Sequence, residues 1–219
     1  VEEAARQLEA RRPAPPLTRD RIVAAAVEMI EQEGVEALSM RRIAARLGVA
    51  AMSLYNHVES KEVLLDEVAA HVMAELEYRD DPSADWRDRG RDLVRAFREV
   101  ARRHPRCVSL VITRKSMAPA TLRPVEHALA IAADAGFAGP ASVRIMRVLI
   151  AYALGTIVRE NGFGEMTRIL TAPPGSVADE FPRVAALLDP LTDDDYDADF
   201  EFGLDLLISA IDALQAGGK

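Results

Sequence analysis

Apolar residues recur at three- and four-residue spacing along nearly the whole chain, and no stretch sustains the alternation that a half-buried strand requires. The pattern predicts an all-α protein of about nine helices. Ile22, Val23, Ala26, Val27 and Ile30 form the first stripe, with Thr18 at the N-cap position and Gly34 as its stop. A short segment, Ser39 to Leu47, ends at Gly48, and a second, Ala51 to His57, follows it. Ser60 then caps a long helix, read to Glu77, with Leu64, Val68, Val72 and Leu76 on one face. Pro82 and Ser83 mark a boundary. Trp86, Leu93, Phe97 and Val100 define the next amphipathic helix, which must stop at His104 because the following Pro105 drives that residue out of the α region. Ser109 to Met117 reads as a turn region, and Ala118 to Ala135 as a helix closed by Gly136. Pro140 opens another helix, with Val143, Met146, Ile150, Leu154 and Ile157 inward and Asn161-Gly162 at its end. A weaker helix is bracketed by Pro173-Pro174-Gly175 and Asp189-Pro190. The acidic loop Thr192 to Asp199 precedes a last helix carrying Leu204, Leu207, Ile208, Ile211 and Leu214. Ahead of all this, Val1 to Leu17 is polar and broken by Pro13, Pro15 and Pro16, and reads as a flexible arm.

The 219 residues, 49% of them hydrophobic, are enough for a packed core. The apolar runs read as too short and too interrupted by charge to span a bilayer, so no membrane partner is expected. No basic start leads into an apolar stretch and a small-residue cleavage site. Cys107 stands alone, which excludes an internal disulfide and fits a reducing cytoplasm. The net charge of −8 argues against a protein coated with nucleic acid, but the charge is polarised. Arg41, Arg42, Arg46 and Lys61 face only Glu59 between Ser39 and Lys61, and Arg11, Arg12, Arg19 and Arg21 face only Asp20. From Asp179 to Asp212, by contrast, acids crowd around the single Arg183. The front of the chain is the part that could meet phosphate.

The informative stretch is Leu38 to Leu65, LSMRRIAARLGVAAMSLYNHVESKEVLL. Two short helices meet at a glycine, and a long helix starts after a serine cap. This is the order of a helix-turn-helix, whose second helix enters a major groove about 12 Å wide. Gly48 supplies the positive φ needed to turn within a few residues. Ile43, Ala44, Leu47, Val49 and Leu54 would lock the two helices together. Ala51, Met52, Ser53, Tyr55, Asn56 and His57 are left on the outer face. Ser, Tyr, Asn and His can donate to phosphates or base edges, and Ala or Met can touch a thymine methyl. Lys61 sits at a helix start, where the backbone N–H groups add attraction for an anion.

Ser39 to Leu65 also resembles the DNA-binding signature of the TetR family of bacterial repressors, in the pattern LGV-xxx-SLYNHV-xxK-xxLL. Gly48, Tyr55, His57, Val58, Lys61, Leu64 and Leu65 fall at family spacing, and the likeness extends from Thr18 to about Leu76. The resemblance implies three parts: an arm over 1–17, a helix-turn-helix DNA-binding domain over 18–65, and a helical ligand-binding and dimerisation domain over 66–219. It implies backbone contacts from Tyr55, His57 and Lys61, and phosphate or base contacts from Ser53, Asn56 and Arg41. Ala51 and Met52 fall where the family varies to set sequence choice. A looser likeness to the tetracycline-repressor branch runs through DWRDRGRDLVRAFREVARRHP, Thr113 to Lys115, LAIAADAGF and ALGTIVREN. By that alignment the branch's magnesium-binding histidine falls at Leu110 and its pocket glutamate near Arg159. Neither residue can take those roles, so a tetracycline–magnesium ligand is not expected.

The resemblance therefore implies a homodimeric repressor that leaves a palindromic double-stranded operator when a small, largely apolar inducer binds. Candidate ligand contacts are Phe97, Leu110, Thr113, Met117, His127, Met146, Ile150 and Arg159. Candidate dimer helices are Ser142 to Val158, with Ala151, Ala153 and Gly155 for close approach, and Gly203 to Leu214. No catalytic residue, metal site or cofactor is expected. His57, His71, His104 and His127 all lack an acid three positions earlier, and no phosphate-binding Gly loop or Gly-x-Ser-x-Gly elbow occurs. Because Ala51 and Met52 are poor in hydrogen-bonding atoms, a helical interaction protein that has lost DNA binding stays open as the alternative.

Overall fold

The computed structural model describes residues 16–114, 116–162, 181–192 and 195–217. Among these the chain is all-helical, with eleven α-helices, one 3-10 turn and no strand. Contacts divide it into two compact units, up to Val68 and from Ala69 onward.

In the first unit α1 spans Arg19–Glu33, a 3-10 turn Val35–Ala37, α2 Met40–Leu47 and α3 Ala51–Tyr55. α4, Lys61–Ala74, begins in this unit. The starts of α1, α2 and α4 are each capped by a hydroxyl. Thr18 accepts from the Arg21 amide at 3.3 Å, Ser39 from Arg42 at 3.3 Å, and Ser60 from Val63 at 3.2 Å. Ile22, Ile30, Ile43, Leu54, Val58, Leu64 and Val68 are fully buried, with Leu38 and Ala44 nearly so. At about 1.5–3 kcal/mol for each large side chain, that burial is the main reason such short helices hold together. α4 stops three residues before Glu77. The amides of Glu75 and Leu76 turn back to the carbonyls of Val72 and Met73, a tightened end that closes the helix.

The second unit is built from α5 (Trp86–Arg103), α6 (Val108–Thr113), α7 (Pro119–Asp134), α8 (Pro140–Gly162), α9 (Pro182–Ala186), α10 (Leu188–Thr192) and α11 (Tyr196–Gly217). α5 packs on α7, α8 and α11, and α8 also touches α7 and α11. The core joins Val94, Phe97 and Ala101 of α5 to Val108, to Ala153 and Ile157 of α8, and to Phe200, Leu204, Ile208 and Ile211 of α11. A row of ion pairs runs outside it. Arg91 donates to Asp205 at 2.9 Å, Arg95 to Glu201 at 2.6 and 2.9 Å, and Arg98 to Asp197 at 2.7 Å, while Arg87 pairs with Asp212. The numbers rise on α5 as they fall on α11, so the two helices are antiparallel. Four acids near the chain's end, Asp197, Glu201, Asp205 and Asp212, are thereby matched to arginines of α5.

Four expectations are corrected. The turn region from Ser109 contains a helix, α6: its β-branched residues weaken intrinsic helicity, but burial of Cys107, Val108 and Leu110 outweighs that. The last helix starts at Tyr196, inside the predicted acidic loop, with Asp197 and Asp199 in its first turn, where the helix dipole favours acids. On that helix Leu204, Ile208 and Ile211 are buried, whereas Leu207 is half-buried and Leu214 is exposed. The weaker predicted helix begins outside the described residues, and its described part is two short helices parted at Leu187. Finally, α8 is long and apolar enough by composition to cross a membrane, with mean hydropathy 1.6 and only 17% of that window buried. The arginines along it had masked this in the sequence. The predicted arm lies outside the described residues except for Pro16 and Leu17.

Candidate functional site

In the first unit the turn between α2 and α3 is made by Gly48, which takes a left-handed conformation at φ 69° and ψ 30°. Its amide and that of Val49 close the end of α2 on the carbonyls of Ala45 and Ala44, at 3.2 and 3.0 Å. A side chain with a Cβ resists that φ, which is why glycine stands there. Leu54, fully buried, anchors α3 from beneath. The rest of α3 is therefore turned outward. Met52 is 74% and Tyr55 45% exposed, Ala51 and Ser53 are half-buried, and Asn56 and His57 lie exposed in the turn that follows. Lys61 is the first residue of α4 and is half-exposed.

The arginines of α2 divide into two kinds. Arg42 donates to Glu33 at 2.5 Å and to the Ala37 carbonyl at 3.0 Å, and Arg46 to Glu28 at 3.2 Å and Gln32 at 2.9 Å. Both are committed to holding α2 on α1. Arg41 is exposed, and among the described residues neither it nor Lys61 is in an ion pair. The positive excess read between Ser39 and Lys61 is thus only partly available to a partner. Arg41 and Lys61 are its free share.

The second unit encloses a cavity of about 580 Å³. Trp86, Leu93 and Phe97 of α5, Ile131 of α7, Ile150 of α8 and Ile208 of α11 are among its walls. Of the sequence candidates, Phe97, Met146 and Ile150 line it. The other five stand elsewhere. Leu110 is buried within α6, and Thr113, the last residue of that helix, is exposed with its hydroxyl donating to the Ser109 carbonyl at 2.8 Å. Met117 is 76% exposed. His127 sits edge-on to Tyr78, with Nδ1 3.7 Å from Asp80, and Arg159 pairs with Asp199. Asp80 is in turn held below the usual carboxylate range, first by hydrogen bonds from the buried Arg89. Sequence reasoning missed most of the wall, including Leu149 and Phe137. Leu149 lay in the same apolar run as Ile150, a signal that was present but ambiguous in direction.

No group of three or more His, Cys, Asp or Glu side chains among the described residues could hold a metal ion.

Comparison with known proteins bears on both units. Residues 22–68 match the family described as bacterial regulatory proteins, tetR family, and residues 80–214 match the tetracyclin repressor-like C-terminal domain. An HTH-type transcriptional regulator of Saccharopolyspora erythraea is 36% identical over 148 residues, which are 67% of this chain and 62% of that relative. The HTH-type transcriptional repressor DrrR1 of Streptomyces coeruleorubidus is 29% identical over 94% of this chain and 81% of its own length. Among solved structures, ActR of Streptomyces coelicolor in complex with actinorhodin superposes with a TM-score of 0.74 at 28% identity, covering 94% of this chain and all of that one.

Proposed function

Because the chain belongs to the TetR family of bacterial regulatory proteins, we propose that it is a homodimeric repressor that leaves a palindromic operator when a small molecule enters its cavity. Regulation of transcription, not catalysis, is its role, and the cytoplasm is its place of action. The DNA-binding domain is 18–65 and the ligand-binding and dimerisation domain 66–219, a division supported by the two family matches and by the boundary between compact units after Val68. The observation that carries this reading is the outward face of α3, with Met52, Tyr55, Asn56 and His57 in solvent and the unpaired Lys61 directly after it.

In this reading Tyr55, His57 and Lys61 hold the sugar-phosphate backbone and fix register. Ser53, Asn56 and Arg41 reach phosphates or base edges, and Ala51 and Met52 offer methyl groups to thymine. Dimerisation is supported by the apolar surface left open on α8 and α11. Val148, Val158, Phe202, Leu206 and Leu214 are all at least half exposed, and a Cβ on Gly155 would meet nothing in its own chain. A two-fold partner laying the same two helices against them would close that surface. The same pairing accounts for α8's apolar length without a membrane.

The dimer would present two copies of α3 about 34–36 Å apart, one turn of DNA. α4 carries Lys61 at its start and the cavity residue Met73 near its end, so it is the natural lever. A ligand shifts the balance only by its differential affinity for the two arrangements. That ActR, a relative, is solved with actinorhodin bound supports a ligand-responsive reading here. The experiment is selection of bound duplexes from a random pool, followed by a metabolite screen for release. A two-fold symmetric consensus and at least one releasing compound are expected. Enrichment of no sequence would overturn the proposal.

A further inference from the structure

The cavity of the second unit is graded in exposure. Leu93, Val94, Phe97, Ile208 and Ile211 are each under a tenth exposed and offer a ligand no hydrogen bond. Ile112 and Leu122, 50% and 40% exposed, mark the part of the wall that reaches solvent. The hydrogen-bonding side chains set into this apolar lining include Arg114, Ser116, Thr121 and Arg147, of which Arg147 is exposed. The Ser116 and Thr121 hydroxyls lie 3.4 Å apart.

Charge is what distinguishes this lining. The chain has 35 acidic residues against 27 basic ones, so a carboxylate would be the commoner charged neighbour. Among the described residues that line the cavity, however, both charged side chains are arginines and there is no carboxylate. On α5 the surface arginines are matched by acids of α11, as Arg91 is by Asp205 and Arg95 by Glu201. Arg147 is in no ion pair among the described residues.

Resting on the reading of this cavity as the inducer site, we infer that it takes an apolar molecule bearing an anionic group such as a carboxylate, phenolate or sulfonate. The body of the molecule packs on Phe97, Ile150 and Ile208, and its anion faces Arg147, which is in no ion pair among the described residues. A planar guanidinium pairs with an oxyanion through charge-assisted hydrogen bonds, stronger than those between neutral groups. Among the described lining residues a cation would meet the Arg147 charge with no carboxylate to offset it, and a neutral ligand would make no use of that charge.

A matched pair of fluorescent probes tests this on the full chain. 1-Anilinonaphthalene-8-sulfonate carries the anion, and N-phenyl-1-naphthylamine is the same ring system without it. The sulfonate is expected to bind roughly tenfold more tightly, a difference the size of one charge-assisted hydrogen bond. Arg147→Gln alone should reduce that preference, and Arg147→Gln with Arg114→Gln should remove it while leaving the neutral probe's affinity in place. Ala128→Phe, which fills the cavity, should abolish both. Equal binding of the two probes, or a preference that survives loss of both arginines, overturns the anionic class and leaves the cavity standing as a ligand site. Binding of neither probe, or binding indifferent to Ala128→Phe, removes the cavity reading itself and the inference with it.

Discussion

Arg98 of α5 donates to Asp197 at the start of α11 at 2.7 Å, while its guanidinium lies 4.3 Å from the centre of the Phe200 ring. The same side chain, 7% exposed, pairs with Glu160 near the end of α8. One arginine thus joins three helices of the second unit. Removing it leaves Glu160, whose side chain is only 12% exposed, with the longer contact to Arg102 at 3.4 Å. Arg98→Met should destabilise the protein by about 3 kcal/mol in urea or guanidinium unfolding, because it breaks a buried pair and leaves Glu160 only the half-exposed Arg102 as counterion. Asp197→Asn should cost under about 1 kcal/mol, since that carboxylate is 67% exposed and already screened by water.

The same ladder sets a dependence on acid. Asp197 is held below its ordinary range chiefly by the hydrogen bond from Arg98, Glu201 by that from Arg95, and Asp80 by that from Arg89. A carboxylate depressed in the folded state stabilises fully above its unfolded pKa, about 4. That stability is lost as pH falls through the lower folded value. Urea midpoints should therefore be flat on this account between neutrality and about pH 5, and fall below about pH 4. A midpoint that held steady through that acid range would show the ladder to be energetically silent.

Gly203 on α11 is fixed by close approach, not by its dihedrals. A Cβ there would overlap the hydroxyl and ring of Tyr152. That hydroxyl donates to the Phe200 carbonyl at 2.8 Å, and the Tyr152 ring stacks on that of Phe200. Gly203→Ala should cost about 1–3 kcal/mol, the usual range for overpacking. Tyr152→Leu in the same chain should recover part of the loss. The readout is the thermal midpoint of both variants.

Phe202 and Leu206, 69% and 57% exposed, stand on the open face of α11. Phe202→Asp with Leu206→Asp should shift the protein from dimer to monomer in sedimentation while leaving its helical circular dichroism unchanged, because neither side chain belongs to the core of its own chain. A dimer that persists at micromolar concentration would place the interface elsewhere.

What could be read from the sequence was what is decided locally. Thr18, Ser39 and Ser60 each cap a helix through a hydroxyl that meets an amide three residues on, and Gly48 turns the chain within one residue, so the local pattern alone announces the first unit. The cavity is decided by packing between helices far apart in sequence. Helical periodicity could nominate Phe97, Met146 and Ile150 as inward, but inward residues fill a core as readily as they line a void. His127 and Arg159 misled for the same reason: their partners, Asp80 and Asp199, lie 47 and 40 positions away. Met117 misled because the helix α6 just before it was read as a turn.

We propose α3 as the helix that enters the groove, with Lys61 on the phosphate backbone beside it. The most direct test is the salt dependence of affinity for the selected palindrome, compared between the parent chain and Lys61→Ala. A steep linear fall of log affinity with log salt is expected, with weaker binding of Lys61→Ala to every sequence and a slope shallower by about 0.9 for each phosphate no longer neutralised. Identical affinity and slope after Lys61→Ala and Tyr55→Ala together would contradict this placement of α3.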